Sequence, residues 1–546
     1  MKQEKNKRKF LSIKKLIKKI SEWLFNCKKN TSLQILQFSE PNLANALSNK
    51  YTSSEVILNK NHFKYLKNYL GSPEMDTKTI VIEDNYISKD FLHDYVSYYA
   101  LCFQDYSKFC KRVHFFSNEF NQEEFNSAIL NNESTTKEFW NHYLGFIVVK
   151  PIPVTIIGYT VLKTYLNSDN FNDRNFWGVR KYKVHLFGNE IELISLAFQE
   201  QDSVLSACAT TAIWSMLNKA SVDFHTIMKS PSQITKDADN TSSDGSRLFP
   251  NKGLNLLQIC QAILNSGLVS EIKQPDFRLL DDEGNFLTNI VTNRYFKKIL
   301  NAYSPIGIPI ILIINVPTGD NYGLHAITIS GFKQSAPVIF PPQMEISWLS
   351  DNIEKFYAHD DQWGPFARID FNDDTSINTP WTKFHPTNNP TYISSIVVPI
   401  YPKIRIPYED IEYIVLGLDA LLSLFFDDKI IADLVWDIKI NYSEDFKVII
   451  KNSNLDDSDK IMYLTKSLPK YIWISSSYIG ENKVFDFTFD ATDVSSGMIG
   501  KGLICYLPDI KPVLLEFLLS NRAILEPIFS RSTKSIYYDF LIDQLS

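Results

Sequence analysis

Cysteine is scarce in this 546-residue chain, and its six copies are scattered: Cys27, Cys102, Cys110, Cys208, Cys260 and Cys505 form no Cys-x-x-Cys pair. That spacing argues against a structural zinc site, and so few thiols in so long a chain argue against a disulfide framework. Reduced thiols in a cytoplasm are the expectation. A run of about 18 apolar residues is also missing, so no transmembrane helix is expected. The longest apolar stretch, residues 306–316, holds Gly307 and Pro309 and reads as a buried strand. Excess positive charge is absent as well. The net charge is -6, which argues against a general nucleic-acid binder. No internal repeat is visible.

What the chain has in quantity is apolar mass. Hydrophobic residues make up 44% and aromatics 13%, ample for packed cores. Its length suggests two to four domains at roughly 150 residues each. Positive charge is concentrated at the N-terminus, where residues 2–19 hold nine Lys or Arg. Phe10, Ile13, Ile17, Ile20 and Leu24 recur there at helical spacing, giving a basic amphipathic helix. It lacks the apolar core and small-residue cleavage site of a secretory signal. Two readings of residues 1–28 stay open: a solvated helix docked on the body, or contact with an anionic membrane surface or acidic partner.

Beyond residue 30, the pattern mixes helices and strands. Residues 79–83 read as a strand and 91–103 as an amphipathic helix. Alternating strands at 182–187 and 191–198 flank a Gly188-Asn189 turn. Residues 235–247 are polar and read as a loop, and 254–266 read as a helix ended by Gly267. Residues 336–349, with Pro337, Pro341 and Pro342, read as a loop that could cover a cleft. A helix opens after Pro407, with Glu409 and Asp410 in its first turn. Paired strands follow at 470–475 and 484–489, with a helical tail from Lys511.

The hairpin delivers the chain to Gln199, Gln201 and then Cys208, which opens a helix among small residues, Ala207-Cys208-Ala209-Thr210. Small neighbours leave room for a carbonyl beside the sulfur. A helix N-terminus and a nearby imidazolium both favour a thiolate, the nucleophilic form. His325 opens the apolar strand 325–332. His359-Asp360-Asp361-Gln362-Trp363-Gly364 lies downstream. An Asp can orient the imidazole, and a Gln amide such as Gln201 can help hold an oxyanion. Alternation along 354–360 puts Asp360 on the face of Phe356 and Ala358 and points it inward toward His325.

At these residues the chain resembles the papain-like cysteine peptidases. His325-Ala-Ile-Thr-Ile-Ser-Gly331-Phe332 is similar to their histidine strand. Cys208 and Trp214 on one helix resemble their catalytic helix, and Asp361-Gln-Trp-Gly364 resembles their Asn-Ser-Trp-Gly. The likeness is nearest the bacterial double-glycine leader peptidase branch, where Asp replaces Asn, and covers about residues 190–400. Departures are the seven-residue step from Gln201 to Cys208, where the family keeps six, and the absence of Cys-Gly-Ser-Cys-Trp. Gln199 is a further candidate for the amide. Family spacing favours Asp361 over Asp360.

The resemblance implies an α+β fold, a cysteine helix packed on an antiparallel sheet bearing His and Asp. The expected layout is a basic helix at 1–30, an accessory region at 31–140, the catalytic unit at 141–406 and an α/β accessory domain at 407–546. It implies a thiol hydrolase of processing or regulatory type, acting on a protein or peptide through Cys208, His325 and Asp360 or Asp361, with no cofactor and no metal. An acyltransferase, a deamidase or a non-catalytic binding module would use the same residues. The expected location is cytoplasmic, with the N-terminal helix able to hold it at a membrane periphery.

Overall fold

Residues 33–130, 134–165, 174–202, 204–205, 207–239, 253–281, 283–318, 321–335, 346–384, 389–427, 430–431, 433–529 and 536–546 are described by a computed structural model. The basic N-terminal stretch and the proline-rich segment at 336–345 lie outside these residues, so the expectations made for them are not addressed. Among the described residues, helices and antiparallel strands are mixed throughout, and no helix is long and apolar enough to cross a membrane.

β-Branched and aromatic residues at alternate positions build a five-stranded antiparallel sheet from Leu33–Gln37, Thr79–Tyr86, Cys110–Phe116, Tyr143–Val149 and Ile157–Leu162, paired in chain order. Both faces are buried, and the two-residue period divides them. Ile80, Ile82, Val113 and Phe115 pack with the helices Glu40–Leu47 and Asn61–Leu70, whereas Val81, Phe116 and Val148 belong to a second, larger core.

The hairpin that follows pairs Arg180–Leu186 with Asn189–Ser195. Its turn sits one residue earlier than Gly188-Asn189. Phe187 and Gly188 take φ of 49° and 89°, the left-handed pair that matches the twist of two-residue hairpins.

The helix Cys208–Asp223 is buried along most of its length and packs on an antiparallel sheet. That sheet runs Ile310–Thr318, Asn321–Gln334, Ile353–Asp360, Gly364–Phe371, Ser376–Asn378 and Thr391–Ile400. The first and last of these also pair, Ile311 with Val397, so the strands close into a ring. The apolar run at 306–316 becomes a strand only from Ile310, because Ser304–Ile306 is a 3-10 turn and Gly307 is left-handed at φ 83°.

The polar stretch expected as a loop from Thr235 is helical through Ala238, while 240–250 lie outside the described residues. Pro231 pre-sets the first turn, and Ser230 and Gln233 form a reciprocal capping box. The polar side chains are satisfied inside: Thr235 Oγ1 donates to the Leu205 carbonyl at 2.9 Å.

Beyond the ring, the helix Tyr408–Phe425 leads to a sheet of Leu434–Tyr442, Tyr471–Ile479, Asn482–Asp490 and Gly500–Cys505. Ser347–Trp348, from the stretch between His325 and the acidic pair, joins that sheet in parallel beside Val435 and Trp436. The C-terminal sheet is thus tied to the central one, and Trp473 Nε1 donates to the Ile406 carbonyl at 2.9 Å across the join.

Candidate active site

Ala207 precedes the cysteine helix in extended conformation, with φ -89° and ψ 178°, and makes no side-chain cap. The unpaired N–H groups of the first turn therefore open at Cys208, where partial positive charge collects. Three residues beyond His325, Thr328 Oγ1 donates to the Ala212 carbonyl at 2.9 Å and fixes helix against strand. The small residues at 207–212 allow this close approach.

His325 is almost fully buried. Its Nε2 lies 2.9 Å from Asp360 Oδ1 and 3.4 Å from Asp361 Oδ1. The Cys208 thiol is among the groups that raise the proton affinity of the same ring. Since Nε2 is committed to Asp360, Nδ1 is the nitrogen left for the sulfur. Burial alone would lower the affinity of this imidazole for its second proton. The Asp360 charge and hydrogen bond, then the thiol and Asp361, outweigh burial and hold the ring well above the usual histidine range.

Both carboxylate oxygens of Asp360 are hydrogen-bonded. Oδ1 accepts from His325 and from the Gln362 N–H at 3.0 Å, and Oδ2 accepts from Trp381 Nε1 at 3.0 Å. The Trp381 ring stands edge-on to the imidazole, centroids 5.4 Å apart, and packs on Trp363 at 5.9 Å. Asp361 differs. Among the described residues, neither of its carboxylate oxygens has a hydrogen-bond partner. Burial first, and then the neighbouring Asp360 and Glu200 charges against the His325 charge, push its carboxyl up to about 7.

The turn carrying both acids is gripped by the helix Asn61–Leu70. His62 Nε2 meets the Asp361 carbonyl at 2.7 Å, and Tyr65 Oη donates to the Pro365 carbonyl at 2.6 Å. Gly364 is required for this fit, since a Cβ there would fall 2.2 Å from Tyr65 Cδ1. Behind His62, Glu200 Oε1 lies 3.5 Å from Nδ1 and 2.6 Å from Lys60 Nζ. A region expected to be accessory thus supplies the support of the acidic turn.

Of the sequence candidates, Cys208, His325, Asp360 and Asp361 come together. Gln201 lies half-buried in the segment entering the helix. Gln199 is buried, and its side-chain Nε2 has no hydrogen-bond partner among the described residues. It is flanked by Phe198, whose ring packs on His359, and by Glu200, so this segment runs beside the acidic turn. Sequence reasoning missed Trp381, His62, Tyr65 and Glu200. Of these only Glu200 carried a signal, its place between the two glutamines.

His325, Asp360 and Asp361 also form the one cluster among the described residues with metal-ligand spacing, their ligand atoms within 4.8 Å of one another. A cation would have to displace the hydrogen bonds that already fill Nε2 and both Asp360 oxygens, so this donor set fits a hydrogen-bonded relay better than a metal centre. A scan of protein-family profiles and a search of curated proteins find no match to the chain.

Proposed function

We propose that the chain is a papain-like thiol hydrolase acting on peptide or isopeptide bonds. The observation that carries this reading is the buried pair of His325 and Asp360, with Nε2 fixed on Asp360 at 2.9 Å and the Cys208 thiol among the groups that raise the imidazole's proton affinity, which leaves Nδ1 for the sulfur. Cys208 gives its proton to His325, and Sγ attacks the carbonyl carbon. The oxyanion is held by the Cys208 backbone N–H at the helix start together with a glutamine amide, Gln201 or Gln199. His325 returns the proton to the departing amine, and the acyl-thioester forms. His325 then takes a proton from water, hydroxide adds to the thioester carbon, and the thiol leaves. Asp360 stabilises the imidazolium at both transfers.

Iodoacetamide labelling at pH 6 with peptide mapping tests the thiol, and cleavage of a peptide library read by mass spectrometry tests the reaction. Cys208 should label ahead of Cys102, Cys110, Cys260 and Cys505. Cys208→Ala and His325→Ala should each abolish cleavage, and the double variant should be no worse than either. Preferential labelling of another cysteine, or cleavage retained by Cys208→Ala, would refute the proposal.

A further inference from the structure

The N-terminal sheet, the hairpin strand Arg180–Leu186 and the cysteine helix line an open-sided cavity of about 610 Å³, within the roughly 300–1,000 Å³ range of small-molecule sites. It is separate from the candidate active site. Asn218, which lines it, lies ten residues along the helix from Cys208, about 15 Å at the helical rise.

Three kinds of chemistry meet in this cavity. Rings supply the first: Phe146 and Tyr159 stack at 6.0 Å, and Tyr182 lines the hairpin side. The second is an uncompensated cation. The Arg180 guanidinium lies 3.7 Å above the Tyr182 ring, and its Nε is buried with no hydrogen-bond partner among the described residues. Among the described residues no carboxylate pairs with it. Its neighbour Arg112 is by contrast already held, by Glu83 at 2.7 Å and by the His185 carbonyl at 3.0 Å. A partly buried guanidinium facing a cavity calls for an anion. The third is an acceptor. Asp90 lines the same space and, among the described residues, accepts only the Trp214 indole N–H, at 3.1 Å.

We propose that this cavity binds a nucleoside phosphate, with the phosphate on Arg180, the base among Phe146, Tyr159 and Tyr182, and a base amino group on Asp90. A bare anion would leave the rings and the acceptor unused, and a neutral aromatic would leave Arg180 unpaired. The occupant would lie against the helix that carries Cys208, because Tyr159 meets the Trp214 ring edge-on at 5.5 Å. This assignment does not rest on the hydrolase reading.

Isothermal titration of the full-length protein with AMP, GMP, CMP and UMP tests it, with the matching nucleosides and ribose 5-phosphate as controls. At least one nucleotide should bind about tenfold or more tighter than its nucleoside and than ribose 5-phosphate. Arg180→Gln should weaken that nucleotide by about tenfold or more, the loss expected for a charge-assisted contact. Asp90→Asn, a second variant that keeps the side-chain shape, should weaken AMP, GMP and CMP more than UMP. Circular dichroism checks that both variants are folded. The proposal is overturned if none of the four binds at millimolar concentration, if ribose 5-phosphate binds equally well, or if a folded Arg180→Gln binds as tightly as the parent.

Discussion

Asp360→Asn is the most informative substitution at the candidate centre, because the structure fixes what an amide would meet there. The carboxylate accepts three hydrogen bonds and donates none: His325 Nε2 and the Gln362 N–H on Oδ1, Trp381 Nε1 on Oδ2. An asparagine keeping its carbonyl oxygen at Oδ1 places its NH₂ 3.0 Å from the Trp381 N–H, donor against donor. The flipped amide is worse, since it sets NH₂ against two donors. One charge-assisted hydrogen bond is lost and one buried donor is stranded, about 1.5–3 kcal/mol, or roughly tenfold to a hundredfold in any rate that depends on the His325 imidazolium. Trp381→Phe alone keeps a ring against His325 and leaves Oδ2 without its donor, a loss of similar size. In Asp360→Asn/Trp381→Phe the clashing donor is gone, so the double variant should be faster than the product of the single losses predicts. The readout is the second-order rate of Cys208 alkylation between pH 5 and 9, which needs no substrate. Asp361→Asn is the control, because no hydrogen bond reaches that carboxylate. Strictly additive losses from Asp360 and Trp381, or a larger loss from Asp361→Asn, would refute the reasoning and move the role to Asp361.

Three further outcomes follow from the same turn. Burial, chiefly, pushes the Asp361 carboxyl up to about 7 in the folded state, above the ordinary carboxylate value of 3.8. Between those values the folded state holds a proton that the unfolded chain has lost, so stability falls as pH rises through this window. Asp361→Asn should flatten that slope in urea melts from pH 4 to 7.5, and an unchanged slope would show that the carboxyl is ionised throughout. His62→Ala removes the contact to the Asp361 carbonyl and leaves a buried acceptor unsatisfied. It should lower urea stability by ~1–3 kcal/mol and slow Cys208 alkylation, whereas a fully stable variant with normal alkylation would make the helix contact incidental. Gly364→Ala drives a methyl into Tyr65 and should lose ~1–3 kcal/mol, with Tyr65→Ala/Gly364→Ala losing less than the sum of its parts. Additive losses would mean that Tyr65 is not the obstacle.

The parts of this site that could be read in advance are those whose chemistry is local in sequence. Small residues around Cys208, a histidine at the start of an apolar strand and an acidic pair before Gln-Trp-Gly each occupy a few consecutive positions, and a family pattern strings them together. The choice between the two acids was legible only by half. Alternation put Asp360 with Phe356 and Ala358, and Asp360 is the nearer acid to His325 Nε2. The other face of that strand is core as well, because Tyr357 and His359 are buried as deeply against the core that holds Ile80, Ile82 and the helix Asn61–Leu70. The supports of the site left no trace in the pattern. His62 reaches the Asp361 carbonyl across 299 residues and Tyr65 reaches Pro365 across 300. Trp381 comes from a short helix beyond two intervening strands. A tryptophan after Thr-Pro, or a histidine on an amphipathic helix, is locally an ordinary core residue, and its role depends on which turn the fold brings to it. The same holds for the cavity beside the cysteine helix. Its rings and its guanidinium come from three separate strands, each with an unremarkable alternating pattern, and only their closure around one space leaves Arg180 as a partly buried cation without a carboxylate among the described residues. Groups positioned by long-range closure, not the reacting atoms, are what this sequence conceals, and the Asp360–Trp381 and Tyr65–Gly364 pairs are where that concealed layer can be measured.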